Sequence, residues 1–414
     1  TRYKLVTGVQ TCALPILQCQ KILSNAGFIS GHSTARDDVL MTSQAHPQRL
    51  PWRIVHSEAS LGWGGQEHRI LAELDGFHRR GHDVWLVAPE QSGVFRRASQ
   101  AGISVKAQRF DQRLLLPLHV VRMASWLRRQ CIQIVNTHSS RDGWMLTMAS
   151  RIARVPLVIR SRHFDVPIPN KSLSRLVYKE WTHHVITTSE RITEKLLETF
   201  EMSPDEVTTM PTGVDLDRFR PEGPCAELPL PTLPAGTPLV GMVSVIRYAK
   251  GMQILAEAAR LLRGEGRLVH CVIAGDGPSR SYLEVVIAEL GVKDLFSFLG
   301  HREDVPEIMR SLDVVAIPSF HEAVPQSGLQ ALATGIPVVA SDVGGIPDII
   351  KQGITGRLVP PKDAAALARA IRETLDHREQ TQAMTAAGLD LIRRDHSLEK
   401  MLDRLEVIYR QHLG

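Results

Sequence analysis

Short runs of β-branched and other apolar residues alternate with longer amphipathic stretches from residue 53 to the end of the chain. This alternation is typical of parallel strands joined by crossover helices. It predicts strands at 53–56, 83–88, 132–136, 157–160 and 185–188 in the first half. In the second half it predicts strands at 239–245, 269–275, 296–300, 313–317, 337–341 and 357–360, with helices such as 251–262 and 279–290. We therefore expect an α/β protein with two doubly wound, Rossmann-like domains that face each other across a cleft.

A proline-rich segment separates the two halves. Residues 221–238 read PEGPCAELPLPTLPAGTP, with five prolines within fourteen positions. No regular element survives that density of proline, so the segment is predicted to be a linker. The expected domains are 41–220 and 221–395. A last amphipathic stretch, 397–412 within the tail 396–414, is long enough to pack back on the first domain.

Residues 1–40 show no usable periodicity and no signal-peptide layout. The opening TRYKLVTGVQTCALPI resembles translated sequencing-adapter reads. We expect these 40 residues to be a non-native, disordered leader, with Met41 as the true start.

Composition narrows the function classes. No window approaches the roughly 18 uninterrupted apolar residues of a membrane-spanning helix. The five cysteines form no C-x-x-C pair, and no histidine cluster shows ligand spacing. A disulfide framework and a zinc site are therefore not indicated, and a reducing cytoplasm is expected.

The net charge of +5 is unevenly distributed, with +2 in residues 1–40, +7 in 41–220 and −4 in 221–414. Much of the basic excess, punctuated by Trp126, Trp144 and Trp181, comes from Arg122, Arg128, Arg129, Arg151, Arg154, Arg160, Arg162, Lys171, Arg175 and Lys179. Such a surface suits anionic lipid headgroups, an anionic acceptor or nucleic acid, and it also suits plain solvation.

Two glycines follow the first predicted strand, in SEASLGWGGQEHR. Gly64 and Gly65 lie at a turn into a helix, where the backbone can approach a phosphate and the helix amino terminus favours an anion. A tight strand-to-helix turn explains them equally well. Gly275 and Gly277 lack the third glycine of a dinucleotide fingerprint, because Arg280 stands in its place, so a dehydrogenase is not indicated.

The loops of the second half carry the groups that a diphosphate would need. Arg247 and Lys250 follow a buried strand, and two fixed cations would stabilise a leaving diphosphate. A structural ion pair is the alternative. Glu322 ends a later loop and adds a carboxylate to the same pocket.

A helix is predicted to begin beside Glu322, at Pro325. Its first turn would direct backbone amides into the cleft, namely those of Gln326, Ser327 and Gly328. Gln330 would project from the second turn toward the same cleft, where an amide can bridge neighbouring hydroxyls. A nucleotide sugar is the kind of polyhydroxylated anion that such a pocket suits.

The stretch 241–360, which includes PSFHEAVPQSGLQALATGIPVVASDVGGIPDII, resembles the family 4 retaining glycosyltransferases of the GT-B fold. The resemblance covers nearly everything from residue 53 onward. That family places two Glu residues eight positions apart; Glu322 fits the first, which holds the transferred sugar, and Gln330 replaces the second, which holds the ribose. Val245 replaces the usual phosphate-binding Arg, and Arg247 stands in the same loop. The nearest resemblance is to bacterial members that build lipopolysaccharide or related envelope glycans.

The first half carries further matches. Gly64 and Gly65 match the family's donor-phosphate loop, and NTHSS matches the segment whose histidine, His138, lies at the reaction centre. His163, in RSRHFD, follows the next strand as a family histidine does. Each histidine alone also reads as a structural or surface residue. Thr212, in PTGVD, is one substitution in an otherwise ordinary interdomain segment.

The resemblance implies a retaining, metal-independent glycosyltransferase that needs no cofactor. Its donor would be a nucleotide-diphosphate sugar of UDP or GDP type, and its acceptor an envelope glycan or lipid-linked sugar. It would act in the cytoplasm, with peripheral contact to the anionic inner membrane face and without nucleic acid. Two alternatives remain open: a GT-B-like sugar-nucleotide epimerase, and a sugar-nucleotide-binding protein whose catalytic signature has decayed, as Gln330 and Val245 suggest.

Overall fold

The computed structural model describes residues 51–163 and 172–414. The predictions about the leader 1–40 and about Met41 lie outside the described residues.

The N-terminal domain is built on seven parallel strands in the order β3-β2-β1-β4-β5-β6-β7. The strands are β1 (Arg53–Ser57), β2 (Asp83–Ala88), β3 (Ser104–Ala107), β4 (Ile134–Thr137), β5 (Leu157–Arg162), β6 (His184–Thr187) and β7 (Val207–Thr209). The helices are α1 (Gly65–Arg79), α2 (Gly93–Gln100), α3 (Leu116–Arg129), α4 (Ser140–Ala153), α5 (Ser172–Arg175) and α6 (Glu190–Phe200). The strand order reverses between β1 and β4, which makes a topological switch point there.

The C-terminal domain repeats this design with six parallel strands in the order β10-β9-β8-β11-β12-β13. The strands are β8 (Leu239–Val243), β9 (His270–Ala274), β10 (Phe296–Gly300), β11 (Val314–Ile317), β12 (Val338–Ser341) and β13 (Arg357–Val359). The helices are α7 (Met252–Gly264), α8 (Arg280–Glu289), α9 (Val305–Arg310), α10 (Gln326–Ala333), α11 (Ile346–Ile349), α12 (Ala364–Asp376) and α13 (Arg378–Asp395). The prediction of two Rossmann-like domains is confirmed.

Every strand predicted from the hydrophobic pattern is present, with ends that shift by up to two residues. The pattern missed β3 and β7. Both are outer strands of the N-terminal sheet, and β3, which reads SVKA, has no fully buried residue. Because the signal of a strand is a buried apolar run, a short outer strand with half-exposed side chains gives almost none.

The proline-rich segment forms no helix or strand between residues 221 and 237. After α13 the chain returns to the first domain as α14 (Leu398–Leu413). Leu402 and Tyr409 of this helix are fully buried in the N-terminal core with Ile54 and Ile70. Gly76 permits the contact, because a Cβ there would lie 2.3 Å from a methyl carbon of Leu402. None of the helices in the described residues is both long and apolar enough to cross a membrane.

Candidate active site

The carboxyl ends of both sheets border one cleft of about 1390 Å³. A pocket for one small ligand measures roughly 300–1,000 Å³, so this cleft has room for more than one substrate. Among the site residues predicted from sequence, those that line it are Gly64, Gly65, His138, Arg247, Lys250, Glu322, Gln326, Ser327 and Gln330. Gly328 is the exception.

On the C-terminal side, Lys250 and Glu322 meet although 72 residues separate them. Lys250 Nζ lies 2.5 Å from Glu322 Oε2, which also accepts a hydrogen bond from Ser319 Oγ at 3.2 Å. Both side chains remain partly exposed to the cleft. The ion pair foreseen as the structural alternative is therefore present, and it borders the cleft.

Two backbone contacts hold this pair in place. Phe320 N–H donates to the Ala249 carbonyl at 2.8 Å, which ties the Glu322 loop to the Lys250 loop. Gly251 has a φ of 68°, and a Cβ there would lie 1.8 Å from the Pro318 carbonyl oxygen. Only glycine allows that approach, so Gly251 fixes where α7 begins and where Lys250 points.

Arg247 and Val245 occupy the same loop after β8. Arg247 is exposed and lines the cleft, and the described residues give it no ion-pair partner. Val245 is half-buried and also lines the cleft, but it adds no charge. Within this loop Lys250 is paired with Glu322, whereas Arg247 can form an ion pair with a ligand.

The amino terminus of α10 faces the cleft, with Pro325 immediately before the helix. No acceptor within the described chain takes the amides of Gln326 and Ser327. The prediction for Gly328 was wrong, because its N–H donates to the Pro325 carbonyl at 3.0 Å and the residue is buried. Close packing explains why a residue without a side chain occupies this position, since a Cβ would lie only about 3.1–3.2 Å from the side chains of Ile317 and Ile349. Gln330 is half-buried on the cleft side, as expected.

The glycine loop lies opposite α10. Gly64 N–H donates to Glu67 Oε2 at 2.9 Å, so its amide is engaged within α1. The phosphate-loop assignment of Gly64 and Gly65 stays a prediction, and of the two only Gly65 has an N–H without an acceptor in the described chain. A Cβ at Gly65 would lie 3.5 Å from Gln326 Oε1, so the two domains come close together here.

On the N-terminal side, three imidazoles form a hydrogen-bonded array. His138 Nδ1 lies 2.9 Å from His163 Nε2, and His138 Nε2 lies 2.9 Å from His56 Nδ1. The rings stack, with centroids 5.1 and 5.2 Å apart. The array results from the fold, because β1, β4 and β5 are neighbours that end at the same edge. Sequence analysis missed His56, which reads as an ordinary strand residue.

Burial keeps these imidazoles neutral at neutral pH. Desolvation lowers the pKa of His56 to about 4, against an opposing effect of Glu73. Desolvation also lowers the pKa of His138 and of His163 well below the usual value, with nearby cationic and imidazole groups acting in the same direction.

One set of atoms in the array has spacing that would also suit a metal ion. His56, Glu73 and His138 offer ligand atoms within 4.8 Å of one another. Hydrogen bonding accounts for the set, since two of its atoms are 2.9 Å apart and Arg69 Nε lies 2.7 Å from Glu73 Oε1. A guanidinium so close to the carboxylate disfavours a second cation.

Asp142 organises the loop that carries His138. Its carboxylate accepts hydrogen bonds from the backbone N–H groups of His138 and Ser139 at 3.0 Å and from Ser57 Oγ at 2.7 Å. Sequence analysis overlooked this residue, although S-x-x-D at a helix start is a capping-box signal.

Glu58 is a second residue that sequence analysis missed, and its side chain is buried at the base of the cleft. Burial and the nearby Asp142 charge raise its pKa to about 8.

A cationic wall continues from this loop. The Arg160 side chain is buried between Gly143 and the Tyr178 ring, whose centroid lies 4.4 Å from the guanidinium carbon. Its Nη1 is buried without a hydrogen-bond partner, and the guanidinium interacts electrostatically with the Asp142 carboxylate. Arg141 is exposed at the start of α4 and lines the same part of the cleft. Two guanidinium groups thus border the cleft near His138.

The family described as "Glycosyl transferases group 1" matches residues 231–390, and "Glycosyltransferase Family 4" matches residues 63–218. A D-inositol 3-phosphate glycosyltransferase from Saccharomonospora viridis is 32% identical over 71% of this chain and 74% of its own length. A UDP-Gal:alpha-D-GlcNAc-diphosphoundecaprenol alpha-1,3-galactosyltransferase from Escherichia coli is 27% identical over 70% of this chain and 78% of its own.

Among solved structures, the crystal structure of Anabaena HepE in complex with UDP and glucose superposes with a TM-score of 0.74 at 19% identity. The match covers 87% of this chain and all of HepE. At that level of identity the likeness concerns the fold.

Proposed function

The chain belongs to glycosyltransferase family 4 and is a glycosyltransferase, and we propose that it is a retaining, metal-independent enzyme that uses a UDP-sugar donor. One observation carries the proposal: Lys250, Arg247 and the α10 amides that have no acceptor in the described chain all line the cleft from the C-terminal domain. A diphosphate is the leaving group that such a wall stabilises. UDP is the first choice of nucleotide because HepE binds it.

The reaction follows from these groups. The diphosphate takes Lys250 away from Glu322, and the released carboxylate accepts hydroxyl hydrogen bonds from the transferred sugar. As the bond to the diphosphate breaks, Lys250, Arg247 and the α10 amides stabilise the negative charge on the leaving oxygen. The acceptor hydroxyl attacks from the side that the diphosphate leaves, which retains configuration, and its proton passes to a phosphate oxygen.

A panel of UDP-, GDP- and ADP-sugars tests the donor, with thermal shift for binding and nucleotide release for turnover. UDP-sugars are expected to raise the melting temperature and to release UDP. Chelation by EDTA is expected to leave turnover unchanged. Activity that EDTA removes and a divalent ion restores would contradict metal independence. A better response to GDP- or ADP-sugars would contradict the choice of UDP.

For the acceptor, we propose an anionic glycan or lipid-linked sugar of the cell envelope. Arg141 and Arg160 line the cleft on the N-terminal side, and Arg141, which is exposed, suits a phosphate of the acceptor. The E. coli relative acts on a diphospholipid-linked sugar. A lipid-linked diphosphate sugar is expected to accept the donor sugar at a higher kcat/KM than the same sugar without its phosphates, whereas equal rates would count against an anionic acceptor.

Such an acceptor places the enzyme at the cytoplasmic membrane face. Four large apolar side chains are exposed just before α3 and in its first two turns, namely Leu114 (97%), Leu115 (46%), Leu118 (44%) and Val121 (60%). Arg122 lies beside them and is also exposed. We expect co-sedimentation with vesicles that contain anionic lipid, and loss of it when Leu118 and Val121 are both changed to Glu.

A second candidate is a nucleotide-sugar-binding protein without catalysis. Gln330 and Val245 favour it, because both replace charged residues of the family pattern. Saturable UDP-sugar binding without UDP release, across the acceptor panel, would select it. Conversion of the donor alone into an epimer would select an epimerase instead.

A further inference from the structure

We propose that the hydrogen bonds of the array His56–His138–His163 run in one direction, from the protein interior toward the cleft. His163 then presents its Nδ1–H as a hydrogen-bond donor to a substrate oxygen. His56 and Glu73 act as positioning residues behind it. The direction of the array follows from the structure alone; the substrate contact rests on the proposed function.

Counting protons limits the array to two arrangements. Each buried neutral imidazole carries one N–H, and the array contains two N···N contacts of 2.9 Å. His138 takes part in both contacts and can supply a proton to only one. Either it donates through Nδ1 to His163 and accepts from His56, or it donates through Nε2 to His56 and accepts from His163.

The inner end of the array favours the first arrangement. His56 Nδ1 lies 3.6 Å from Glu73 Oε2, a buried carboxylate oxygen without a hydrogen bond. A proton on Nδ1 is attracted to that oxygen, whereas a bare Nδ1 lone pair would be repelled by it. A proton on His56 Nε2 would also be buried without an acceptor, since no partner lies there.

Arg69 holds Glu73 in this position. Its Nε donates to Glu73 Oε1 at 2.7 Å, and its Nη1 donates to the Met210 carbonyl at 2.8 Å. Both side chains are almost fully buried. The carboxylate therefore keeps Oε2 directed at His56, and the direction of the array is built into the fold.

At the outer end, His163 accepts through Nε2 and so carries its proton on Nδ1. His163 lines the cleft, and among the described residues no partner takes this nitrogen. His138 has both ring nitrogens engaged inside the array. The imidazole that meets a substrate is therefore His163, and it meets it as a donor and not as a base. The His163 N–H can donate a hydrogen bond to a hydroxyl oxygen of a bound sugar. Since His163 then takes up no proton, this role is consistent with a phosphate oxygen accepting the proton of the attacking hydroxyl.

Nitrogen NMR of the full chain tests the direction without an activity assay. Protein labelled with 15N in histidine is observed in long-range 1H–15N spectra, with and without UDP, and signals are assigned by single histidine replacements. The expected result is Nδ1–H for His56, His138 and His163. Nε2–H at His138, or an even mixture of its tautomers, would overturn the proposal.

Replacement of Glu73 sharpens the test. Glu73→Gln places an amide donor near His56 Nδ1 and is expected to reverse the array, so that His138 shows Nε2–H. An unchanged His138 signal in a folded variant would overturn the role of Glu73. If that variant does not fold, His56→Phe removes the donor to His138 and is expected to abolish its Nδ1 preference.

Kinetics test the substrate contact. His163→Ala is expected to lower kcat about 100-fold at unchanged donor KM, and His163→Gln, which keeps a donor, to lose less than about tenfold. His377→Gln, an exposed replacement, serves as the control. Equal losses in both His163 variants, or no loss, would contradict the donor role. An unaltered protein without transferase activity would contradict the proposed function and leave the spectra as the test of the array.

Discussion

The polar groups on the two walls of the cleft differ in exposure and in how many of their hydrogen bonds and ion pairs are already made within the protein. On the C-terminal wall, Lys250 and Glu322 are partly exposed and paired with each other, and Arg247 and two helix amides have no partner in the described chain. On the N-terminal wall, His56, His138 and Asp142 are buried and bonded to other protein groups. The side chains and amides of the C-terminal wall, which we call the exchangeable wall, can therefore form new ion pairs and hydrogen bonds with a charged ligand. The buried groups of the N-terminal wall, which we call the fixed wall, are held in place before any ligand arrives.

The largest effect is expected on the exchangeable wall. Lys250→Ala removes a cation that we propose stabilises the leaving diphosphate and should lower kcat about 1,000-fold, since electrostatic stabilisation of developing charge is worth that order. Steady-state UDP release measures it. The exposed Lys293→Ala is the control and should retain full rate. Turnover close to the unaltered rate in Lys250→Ala would remove the leaving-group assignment.

On the fixed wall, Asp142→Ala leaves Ser57, His138 and Ser139 without their acceptor. We expect kcat to fall about 100-fold through misplacement of His138, and the free energy of unfolding to fall by about 3 kcal/mol. Kinetics and urea denaturation report the two losses. Asp205→Ala, at an exposed position of the same domain, should show neither. A stable, fully active Asp142 variant would contradict the contrast between the walls.

The fixed wall should also impose a pH dependence on stability. The pKa of Glu58 is raised from 4.5 to about 8, so the folded state holds the proton more tightly than the unfolded state. This stabilisation is complete below the unfolded pKa and is lost as pH rises through the folded one. The contribution of Glu58 to the unfolding free energy should therefore fall from about pH 5 to about pH 8, so the unaltered protein should lose stability relative to Glu58→Gln across that range.

Urea denaturation across this pH range measures the slope. Glu90→Gln, at an exposed position, removes the same charge and should leave the slope unchanged. An identical slope in Glu58→Gln and the unaltered protein would show that Glu58 is not held protonated.

The smallest effect is expected where the walls touch. Arg97 pairs with Glu303 of the other domain at 3.0 Å and stacks on Trp63 at 4.1 Å. Glu303 is largely exposed, and such pairs contribute about 1 kcal/mol or less. Arg97→Gln should raise the donor KM about twofold to fivefold at unchanged kcat. A large fall in kcat would instead indicate that Arg97 takes part in the reaction, and would contradict its assignment to a contact between the two domains.

Sequence reasoning located the exchangeable wall better than the fixed one. Lys250, Glu322 and Pro325 follow strands in recognisable loops, so their positions could be inferred from local order alone. Gly328 was misassigned because a free helix amide and a packed glycine look the same in a sequence. His56 and Glu58 gave no signal, because a strand residue and the residue after it look structural until neighbouring strands are known.

The order of apolar and polar positions determined the two parallel sheets, the linker and the loops that carry charge, because strand and helix periods are local properties of the chain. Which groups touch was decided by the tertiary structure. His56, His138 and His163 belong to three strands that become neighbours only when the sheet assembles in the order β1-β4-β5. Their burial, and with it their neutral state, depends on helices packed over that sheet, among them α14, which begins 235 residues after His163.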